Sequence, residues 1–300
     1  MSGQPTCHID DELADNGYNF AFLDEQTKRM IRRFLLKALS IPGYQVPFGG
    51  REMPLAQGWG TGGIQITASV VGPTDVLKVI DQGADDTTNA VSIRRFFQTV
   101  AGVAVTEKTA DATIVQTRHR IPEAKMDEGQ ILVYQVPQPE PLRMIEPRET
   151  ETRKMHAYAE YGAIQVTLYE DIARYGHIAK TYDYPAMING RFLMAPSPIP
   201  KFDNPKMENN AAIQFWGAGR EKRIYAVPPY TTVRNLDFDD HPFKVQSWSN
   251  CCELCGSSES YLDEVIIDDK GKRMFVCSDT DFCNTRQCEG HGAAPEGASK

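Results

Sequence analysis

The sequence predicts an α+β protein with a mixed-sheet core, a helical insertion and a small C-terminal cysteine subdomain laid out like a zinc ribbon. Three observations support this fold class. Amphipathic helices and short apolar strands are both predicted in the core. A proline-bounded block in the middle of the chain has a helical pattern. Four cysteines near the C-terminus flank one predicted hairpin. The chain has 300 residues, 41% of them hydrophobic, which is enough for a sizeable core.

The predicted domain boundaries follow changes in composition. The N-terminal residues are polar and acidic, which predicts a mobile tail, and three prolines at 137, 139 and 141 make a stiff break before the insertion. The predicted segments are a tail at 1–16, the first part of the core at 17–139, the insertion at 140–190, the second part of the core at 191–246, the cysteine subdomain at 247–288 and a tail at 289–300.

Helices are predicted where apolar residues recur at three- and four-residue spacing. Asp24 can cap a helix over 25–39, which ends at Ile41-Pro42-Gly43-Tyr44. Gly43 fits a left-handed residue at the end of that helix. A second helix is predicted over 88–101, and the insertion is predicted to be helical from 150 to 176.

Apolar segments bounded by turns predict the strands. Gly58–Gly63 is rich in glycine but leads into an apparent strand at 64–71, so it does not fit a dinucleotide-binding loop, which opens a helix. Further strands are predicted at 113–116, 131–136 and 224–227. Asn189-Gly190 predicts a hairpin turn, and so does the segment 269–272.

A candidate anion site follows the strand at 113–116. The strand delivers Arg118, His119 and Arg120 at its end, where ligand-binding groups often lie. The alternative interpretation is equally good: these are ordinary core or surface side chains whose hydrogen-bonding groups have partners in the protein or in solvent. Arg51, Arg220 and Lys222 are weaker candidates for the same role.

Composition restricts the class of partner. Asp and Glu number 40 against 32 Lys and Arg, and the net charge of −8 argues against nucleic acid as a partner. No segment has the length and apolar character of a signal peptide or a membrane span, so the sequence predicts a cytoplasmic protein that does not enter the membrane. In a reducing compartment, clustered cysteines favour metal ligands over disulfides.

The cysteines form the clearest chemical motif. Two residues separate Cys252 from Cys255, 21 separate Cys255 from Cys277, and five separate Cys277 from Cys283. A hairpin between the two halves brings all four thiolates to one site. Thiolates bind both zinc and iron–sulfur clusters, so the spacing leaves structural zinc and an iron–sulfur centre open. Residues 251–290 carry nine acidic and four basic side chains, which argues against a nucleic-acid-binding ribbon.

Several motifs together resemble one family, the catalytic J subunit of bacterial carbon–phosphorus lyase (PhnJ). The resemblance runs from about Gly17 to Cys283. The motifs that carry it are Tyr18–Ala21, Gln26–Arg33, Ile41–Glu52, Gln116–Pro122, Ile145–Arg153, Ser197–Met207 and the cysteine region. Cys7, Cys251 and Cys288 depart from the family pattern.

The resemblance implies a radical enzyme that uses S-adenosylmethionine and a [4Fe–4S] cluster. The implied reaction converts α-D-ribose 1-methylphosphonate 5-phosphate to α-D-ribose 1,2-cyclic phosphate 5-phosphate and methane. Carried over by position, Cys252, Cys255 and Cys277 would ligate the cluster, Cys283 would form a thiyl radical, and Gly43 would form a glycyl radical that relays hydrogen. Zinc can occupy the same four thiolates in aerobically handled protein.

The resemblance also implies partners. These are the G, H and I subunits of a core complex with two copies of each, and an ATP-binding-cassette protein whose contact we expect at the insertion, 140–190. Arg118, His119 and Arg120 are the expected contacts with the substrate anion. The alternative function is a zinc-ribbon-bearing, non-catalytic subunit of a protein assembly.

Overall fold

A computed structural model describes most of the chain. The described residues are 23–48, 62–136, 141–177, 186–190, 192–194, 199–219, 222–235 and 249–290. Predictions for the tails at 1–16 and 291–300, for Arg51 and for Arg220 lie outside them.

The described helices and strands are mixed along the chain. The helices are α1 (Glu25–Ser40), α2 (Gly62–Val70), α3 (Thr88–Ala101), α4 (Glu149–Tyr158), α5 (Gly162–Tyr175), α6 (Asn204–Glu208) and α7 (Thr280–Cys288). The strands are β1 (Val46–Pro47), β2 (Val76–Asp81), β3 (Ala104–Val105), β4 (Ile114–Arg118), β5 (Ile131–Gln135), β6 (Ala186–Ile188), β7 (Phe192–Met194), β8 (Ile213–Ala218), β9 (Arg223–Val227), β10 (Val233–Asn235), β11 (Leu262–Ile266) and β12 (Arg273–Cys277).

Seven of these strands form one mixed sheet in the order β1-β9-β8-β5-β4-β2-β3. Strands β3, β2, β4, β5 and β8 are parallel to one another. Strand β9 runs antiparallel to β8, and β1 runs antiparallel to β9. The predicted α+β class with a mixed-sheet core is therefore confirmed.

Helix α1 forms as the sequence predicts. The Asp24 side chain accepts a hydrogen bond of 2.8 Å from the Thr27 backbone N–H, which satisfies one of the free donors at the helix start. Ile31, Leu35 and Ala38 are buried on one side of the helix, which packs against α2 and β9. Helices α1, α2 and α3 share a single apolar core on one face of the sheet.

The predicted strand at 64–71 is wrong, because these residues belong to helix α2. Every residue from Gly62 to Ser69 is buried, so the segment has no polar side whose spacing could distinguish a helix from a strand. Glycines at its start allow close packing. A Cβ on Gly62 would lie 2.4 Å from the carbonyl carbon of Gly217 in β8, and one on Gly63 would lie 2.7 Å from the Gln135 Cβ in β5. Contrary to prediction, Gly62 and Gly63 thus open a helix.

The opposite face of the sheet is covered by a second core. Tyr134, Trp216 and Tyr225 are register partners on β5, β8 and β9, and all three are fully buried. The rings of Tyr134 and Trp216 stack with their centroids 3.9 Å apart, and Trp216 and Tyr225 lie 6.0 Å apart. Cross-strand aromatic pairs of this kind stabilise a sheet in its register.

The helical character predicted for 150–176 is confirmed as two helices, α4 and α5. They are separated at Ala159, which has a left-handed φ of 55°. Leu142, Tyr161, Ile164 and Leu168 form a separate apolar core in this block. Strand β6 forms a hairpin with β7 around the predicted turn and also pairs with β10.

In the part of the chain that the structure covers, no helix combines the length and the apolar composition needed to span a membrane.

The contact between α2 and β8 gives a test of the fold. We expect Gly62→Ala to lower the free energy of unfolding by about 1–3 kcal/mol, because the added methyl group overlaps the Gly217 backbone. Denaturant unfolding measures the change. The control is Gly162→Ala at the start of α5, where an added Cβ has no neighbour within 4 Å. Equal stability of the two variants would contradict the close packing of α2.

Candidate metal centre

The structure brings the four predicted cysteines together. Cys252, Cys255, Cys277 and Cys283 are all buried, and their sulfur atoms lie within 4.8 Å of one another. The Sγ atoms of Cys252 and Cys283 are 3.7 Å apart, and those of Cys255 and Cys277 are 3.4 Å apart. Cys251 and Cys288 are exposed and lie outside this group.

Three local structures place these thiols. A tight turn carries Cys252 and Cys255, closed by a hydrogen bond of 2.8 Å from the Gly256 N–H to the Cys252 carbonyl, and Gly256 has a left-handed φ of 71°. The predicted hairpin, β11 with β12, ends at Cys277. Cys283 lies in the first turns of α7, a helix that the sequence analysis did not predict. The cap of α7 is Asp279, whose side chain accepts from the Phe282 N–H at 3.1 Å.

The sulfur positions fit a single metal ion. Zinc–sulfur bonds of about 2.3 Å in a tetrahedron hold the sulfurs about 3.8 Å apart, close to the separations seen here. Sulfurs that hold an iron–sulfur cluster bind different irons and lie further apart than sulfurs that share one ion. The same four residues can hold a cluster only if the thiols separate. Chemically, then, the donor set suits either group, whereas its present geometry suits one ion.

The thiols of Cys252, Cys277 and Cys283 differ in pKa. Burial raises the pKa of Cys252, but hydrogen bonds from the backbone N–H groups of Cys255, Leu254 and Cys277 outweigh it and bring the value to about 7. Burial raises the pKa of Cys283 to about 12, and neighbouring Cys252 adds to the effect. Burial also raises the pKa of Cys277 far above its usual range, although the Ser260 hydroxyl lies 3.0 Å from its sulfur. Cys252 is therefore the most acidic of these three thiols.

One contact between the cysteine subdomain and the core is a buried ion pair. Lys78 projects from β2, and its Nζ lies 3.8 Å from an Asp279 carboxylate oxygen, with both side chains at most 2% exposed. The Lys78 ammonium also donates to the Glu107 carbonyl at 2.5 Å. Next to this pair, the Thr109 N–H donates to the Asp281 carboxylate at 3.3 Å. The start of α7 is thus held against the sheet.

Arg120 makes the second contact. Its guanidinium pairs with the Asp203 carboxylate at 2.7 Å and with Glu123 at 3.2 Å. The same group lies 4.5 Å from the ring centroids of Phe202 and Tyr261, and Tyr261 belongs to the cysteine subdomain. The Tyr261 N–H in turn donates to Glu123 at 3.2 Å. The structure therefore gives Arg120, predicted as a substrate contact, partners within the protein.

Arg118 and His119 lie at the end of β4, as predicted. Arg118 forms a two-point ion pair with Asp81, its register partner on β2, through two contacts of 2.8 Å. His119 has a left-handed backbone with φ of 68°, which turns the chain away from the sheet. Lys222, a weaker candidate, also has a positive φ of 48°.

Gly43 is anchored at the other end of the sheet. Its N–H donates to the Ala226 carbonyl in β9 at 3.1 Å, and its φ is 78°. The cysteine subdomain contacts Lys78 in β2, and strands β8, β5 and β4 lie between. Four strand spacings correspond to about 19 Å. The anchor points of Gly43 and of the cysteine subdomain are therefore separated by most of the width of the sheet.

The sequence analysis missed Lys78, Asp279 and Ser260 around this centre. Lys78 interrupts the apolar segment that forms β2, and a charged residue within a buried strand is a signal that a partner must be present. Asp279 and Ser260 give no comparable signal, because polar residues are ordinary next to a turn.

The fold and the site define a class: an α+β protein whose mixed sheet carries a small subdomain with a four-cysteine metal centre. Comparison with known proteins is more specific. Residues 16–289 match the family described as phosphonate metabolism protein PhnJ. The chain belongs to this family, which confirms the resemblance found in the sequence.

Two curated relatives have almost the same name as each other. A protein of Escherichia coli (strain K12), named alpha-D-ribose 1-methylphosphonate 5-phosphate C-P lyase, is 73% identical over 268 residues, which cover 89% of this chain and 95% of the relative. A protein of Rhizobium meliloti (strain 1021), named alpha-D-ribose 1-methylphosphonate 5-phosphate C-P-lyase, is 71% identical over 277 residues. This alignment covers 92% of this chain and 93% of the relative.

The four-thiol geometry predicts stoichiometric metal binding. We expect purified protein to bind one zinc ion per chain and Cys252→Ser to lose tight binding, because a hydroxyl replaces a thiol whose pKa is lowered to about 7. Zinc content after dialysis against a chelator measures the effect. Cys251→Ser is the matched control, since the neighbouring thiol is exposed. Loss of zinc in the Cys251 variant would show that Cys251 is a zinc ligand and would contradict the site seen in the structure.

The carboxyl of Asp85 near Lys78 gives a pH-dependent prediction. Burial raises its pKa above the usual 3.8. The positive charge of Lys78 lowers the pKa, whereas the negative charges of Asp279 and Glu107 raise it, and the net shift is upward. The folded state therefore holds the Asp85 proton more tightly than the unfolded state, and Asp85 lowers stability progressively as pH rises from 3.8 through the raised pKa.

Asp85→Asn removes this penalty. We expect the difference in melting temperature between variant and wild type to increase in the variant's favour from pH 4 towards neutrality, because only the wild type loses a proton. Thermal unfolding followed across this range measures the difference. Asp86→Asn, at the exposed neighbouring position, is the control and should give a flat difference. A difference that falls with rising pH would contradict the raised pKa.

Proposed function

We propose that this protein is a carbon–phosphorus lyase of phosphonate catabolism that acts on α-D-ribose 1-methylphosphonate 5-phosphate. The observation that carries the proposal is identity above 70% to two relatives named for this activity, each covered over more than nine tenths of its length. The four-cysteine centre is the second support, because it supplies a place for a redox-active group. The proposed products are α-D-ribose 1,2-cyclic phosphate 5-phosphate and methane.

The chemistry calls for radicals, because a methyl group on phosphorus is a poor leaving group in hydrolysis. A [4Fe–4S] cluster with S-adenosylmethionine would supply the one-electron chemistry when bound, held by Cys252, Cys255 and Cys277. In the proposed sequence the Cys283 thiyl radical bonds to phosphorus, and the carbon–phosphorus bond breaks homolytically. The methyl radical takes a hydrogen atom from the Cα of Gly43 and leaves as methane, so that Gly43 becomes the glycyl radical. The ribose 2-hydroxyl then displaces the Cys283 sulfur from phosphorus, which closes the cyclic phosphate. Its proton restores the Cys283 thiol, from which Gly43 takes back a hydrogen atom.

Gly43 is the proposed hydrogen relay. Glycine has no side chain to obstruct approach to its Cα, and the flanking amides stabilise a radical there. Its anchor on β9 lies about 19 Å across the sheet from the anchor of the cysteine subdomain on β2. Direct transfer between Gly43 and Cys283 therefore needs the two segments to approach each other, and Cys283 must also leave its three neighbouring thiols.

Arg118 and His119 are the proposed contacts with the substrate anion. They lie at the carboxyl end of β4, in the parallel part of the sheet, where ligands often bind. Arg120 was predicted with them, although its ion pairs with Asp203 and Glu123 favour a role within the protein. We further propose assembly with the G, H and I subunits. The contact with an ATP-binding-cassette protein is proposed at the insertion, where Tyr158 and Val166 are exposed.

A second candidate function is a non-catalytic, zinc-bearing subunit. The sulfur separations favour it, because they suit one tetrahedral ion better than a four-iron cluster. Anaerobic reconstitution followed by iron and sulfide analysis separates the two functions. Uptake of four irons and four sulfides with reductive cleavage of S-adenosylmethionine supports the lyase. Retention of tight zinc without cluster uptake supports the subunit.

The roles of the cysteines can be tested separately. We expect Cys283→Ala to retain cluster iron and to lose methane formation, because the residue is proposed as a reactant and not as a ligand. Gas chromatography of methane and iron analysis give the two measurements. Cys288→Ala, at the exposed end of the same helix, is the control and should keep both properties. Loss of cluster iron in the Cys283 variant would show that Cys283 is a ligand.

A further inference from the structure

We propose that Lys78 and Arg120 are positioning residues, which together dock the cysteine subdomain on the sheet and fix where the Cys283 thiol lies. The docking itself is independent of the proposed reaction. Its importance for turnover rests on the proposed function.

The junction between the subdomain and the core depends on a few polar contacts. A cavity of 260 Å³ lies beside it, lined by Glu259 and Phe282 of the subdomain and by core residues from Ile121 to Met126 and from Pro205 to Asn210. A cavity at a junction means that apolar packing does not hold the two sides together over that area. The contacts on either side of the cavity must therefore supply much of the attachment.

Burying the Lys78 ammonium group inside the core lowers stability unless a partner of opposite charge compensates for it. Lys78 lies within β2 and is completely buried. An ammonium group in that position needs a charged partner, and Asp279 of the subdomain supplies one at 3.8 Å. If the subdomain moved away, Lys78 would lose this partner, and so the buried charge favours the docked position.

Asp279 connects docking to the orientation of Cys283. One of its carboxylate oxygens faces Lys78 and also accepts from the Phe282 N–H in the first turn of helix α7. A capping residue that is itself held by the core fixes the axis of its helix relative to the sheet. Cys283 lies four residues further along that helix, so its thiol position depends on the ion pair.

Arg120 contacts the other strand of the hairpin at the same end. Tyr261 immediately precedes β11 and Asp279 follows β12, and because Leu262 pairs with Cys277, the two contacts lie together at the open end of the hairpin. The guanidinium is fixed by Asp203 and stacks on the Tyr261 ring, and Lys206 completes the network by pairing with Glu123 at 2.5 Å and with Asp203 at 3.0 Å. Two contacts, one beside each strand of the hairpin, restrain rotation of the subdomain more than a single contact would.

The two interface N–H groups give a direct test in the full-length, zinc-loaded chain. The Thr109 N–H donates to Asp281 and the Tyr261 N–H donates to Glu123, so both hydrogen bonds cross the junction. We expect Lys78→Met and Tyr261→Ala to speed hydrogen exchange at both amides by about tenfold or more. Exchange at the Cys277 N–H, which bonds to Cys252 within the subdomain, should not change. Zinc should stay at one per chain.

The controls separate docking from folding. Tyr261→Phe keeps the ring against Arg120 and should exchange like the wild type. If Lys78→Met does not fold, Tyr261→Ala and Asp281→Asn test the same junction from the surface of the subdomain. Unchanged exchange at Thr109 and Tyr261 would overturn the docking role. Loss of zinc together with faster exchange at Cys277 would also overturn it, because the residues would then support the subdomain's fold.

Turnover by the assembled complex tests the positioning role. We expect Lys78→Met and Tyr261→Ala to reduce kcat for methane formation while KM stays unchanged, because a misplaced thiol slows the chemical step without weakening substrate binding. Tyr261→Phe should keep the wild-type kcat. An unchanged kcat in variants with faster interface exchange would overturn the positioning role and leave the docking intact. Failure of the wild-type complex to form methane would count against the proposed function and not against the docking.

Discussion

The structure of the C-terminal region depends on one constraint: four thiols are buried within 4.8 Å of one another. Few apolar residues are available to stabilise the subdomain, since its core consists of these cysteines and Leu262, with Phe275, Val276 and Phe282 packed against it. A core of that size is small for a unit that folds alone, and a bound metal ion would contribute folding free energy. The turn at Gly256, the β11–β12 hairpin and the Asp279 cap all place sulfur atoms around one point.

The sequence predicted the parts of the molecule that carry local signals. The Asp24 cap, the two hairpins and the cysteine spacing were each recognisable, because capping residues, turn residues and ligand spacing act over a few positions. Helix α2 was missed since its residues are buried on all sides, which removes the polar spacing that distinguishes a helix. The partner of Arg120 was not predictable either. Asp203 lies 83 positions away, and only the folded sheet brings the two together.

Gly43 shows why a residue type alone does not establish a role. Its left-handed φ of 78° explains a glycine after helix α1 without any radical chemistry. A substitution there would strain the backbone whether or not the Cα carries a radical, so loss of activity would not distinguish the two roles. Detection of the radical itself would distinguish them. Cys283 differs in this respect, because it can be replaced by a smaller side chain without backbone strain.

The metal geometry and the docking contacts both affect whether Cys283 and Gly43 can come together in the proposed radical site. The thiols are close enough for one ion, and the subdomain is docked on β2, far across the sheet from the anchor of Gly43. A cluster would spread the thiols, and a relay would bring Cys283 and Gly43 together, so both changes alter the region that Lys78 and Arg120 hold. The buried Lys78–Asp279 pair opposes such movement, since separation takes the Asp279 carboxylate away from the buried Lys78 ammonium. The strength of docking therefore sets how readily the proposed radical site can assemble.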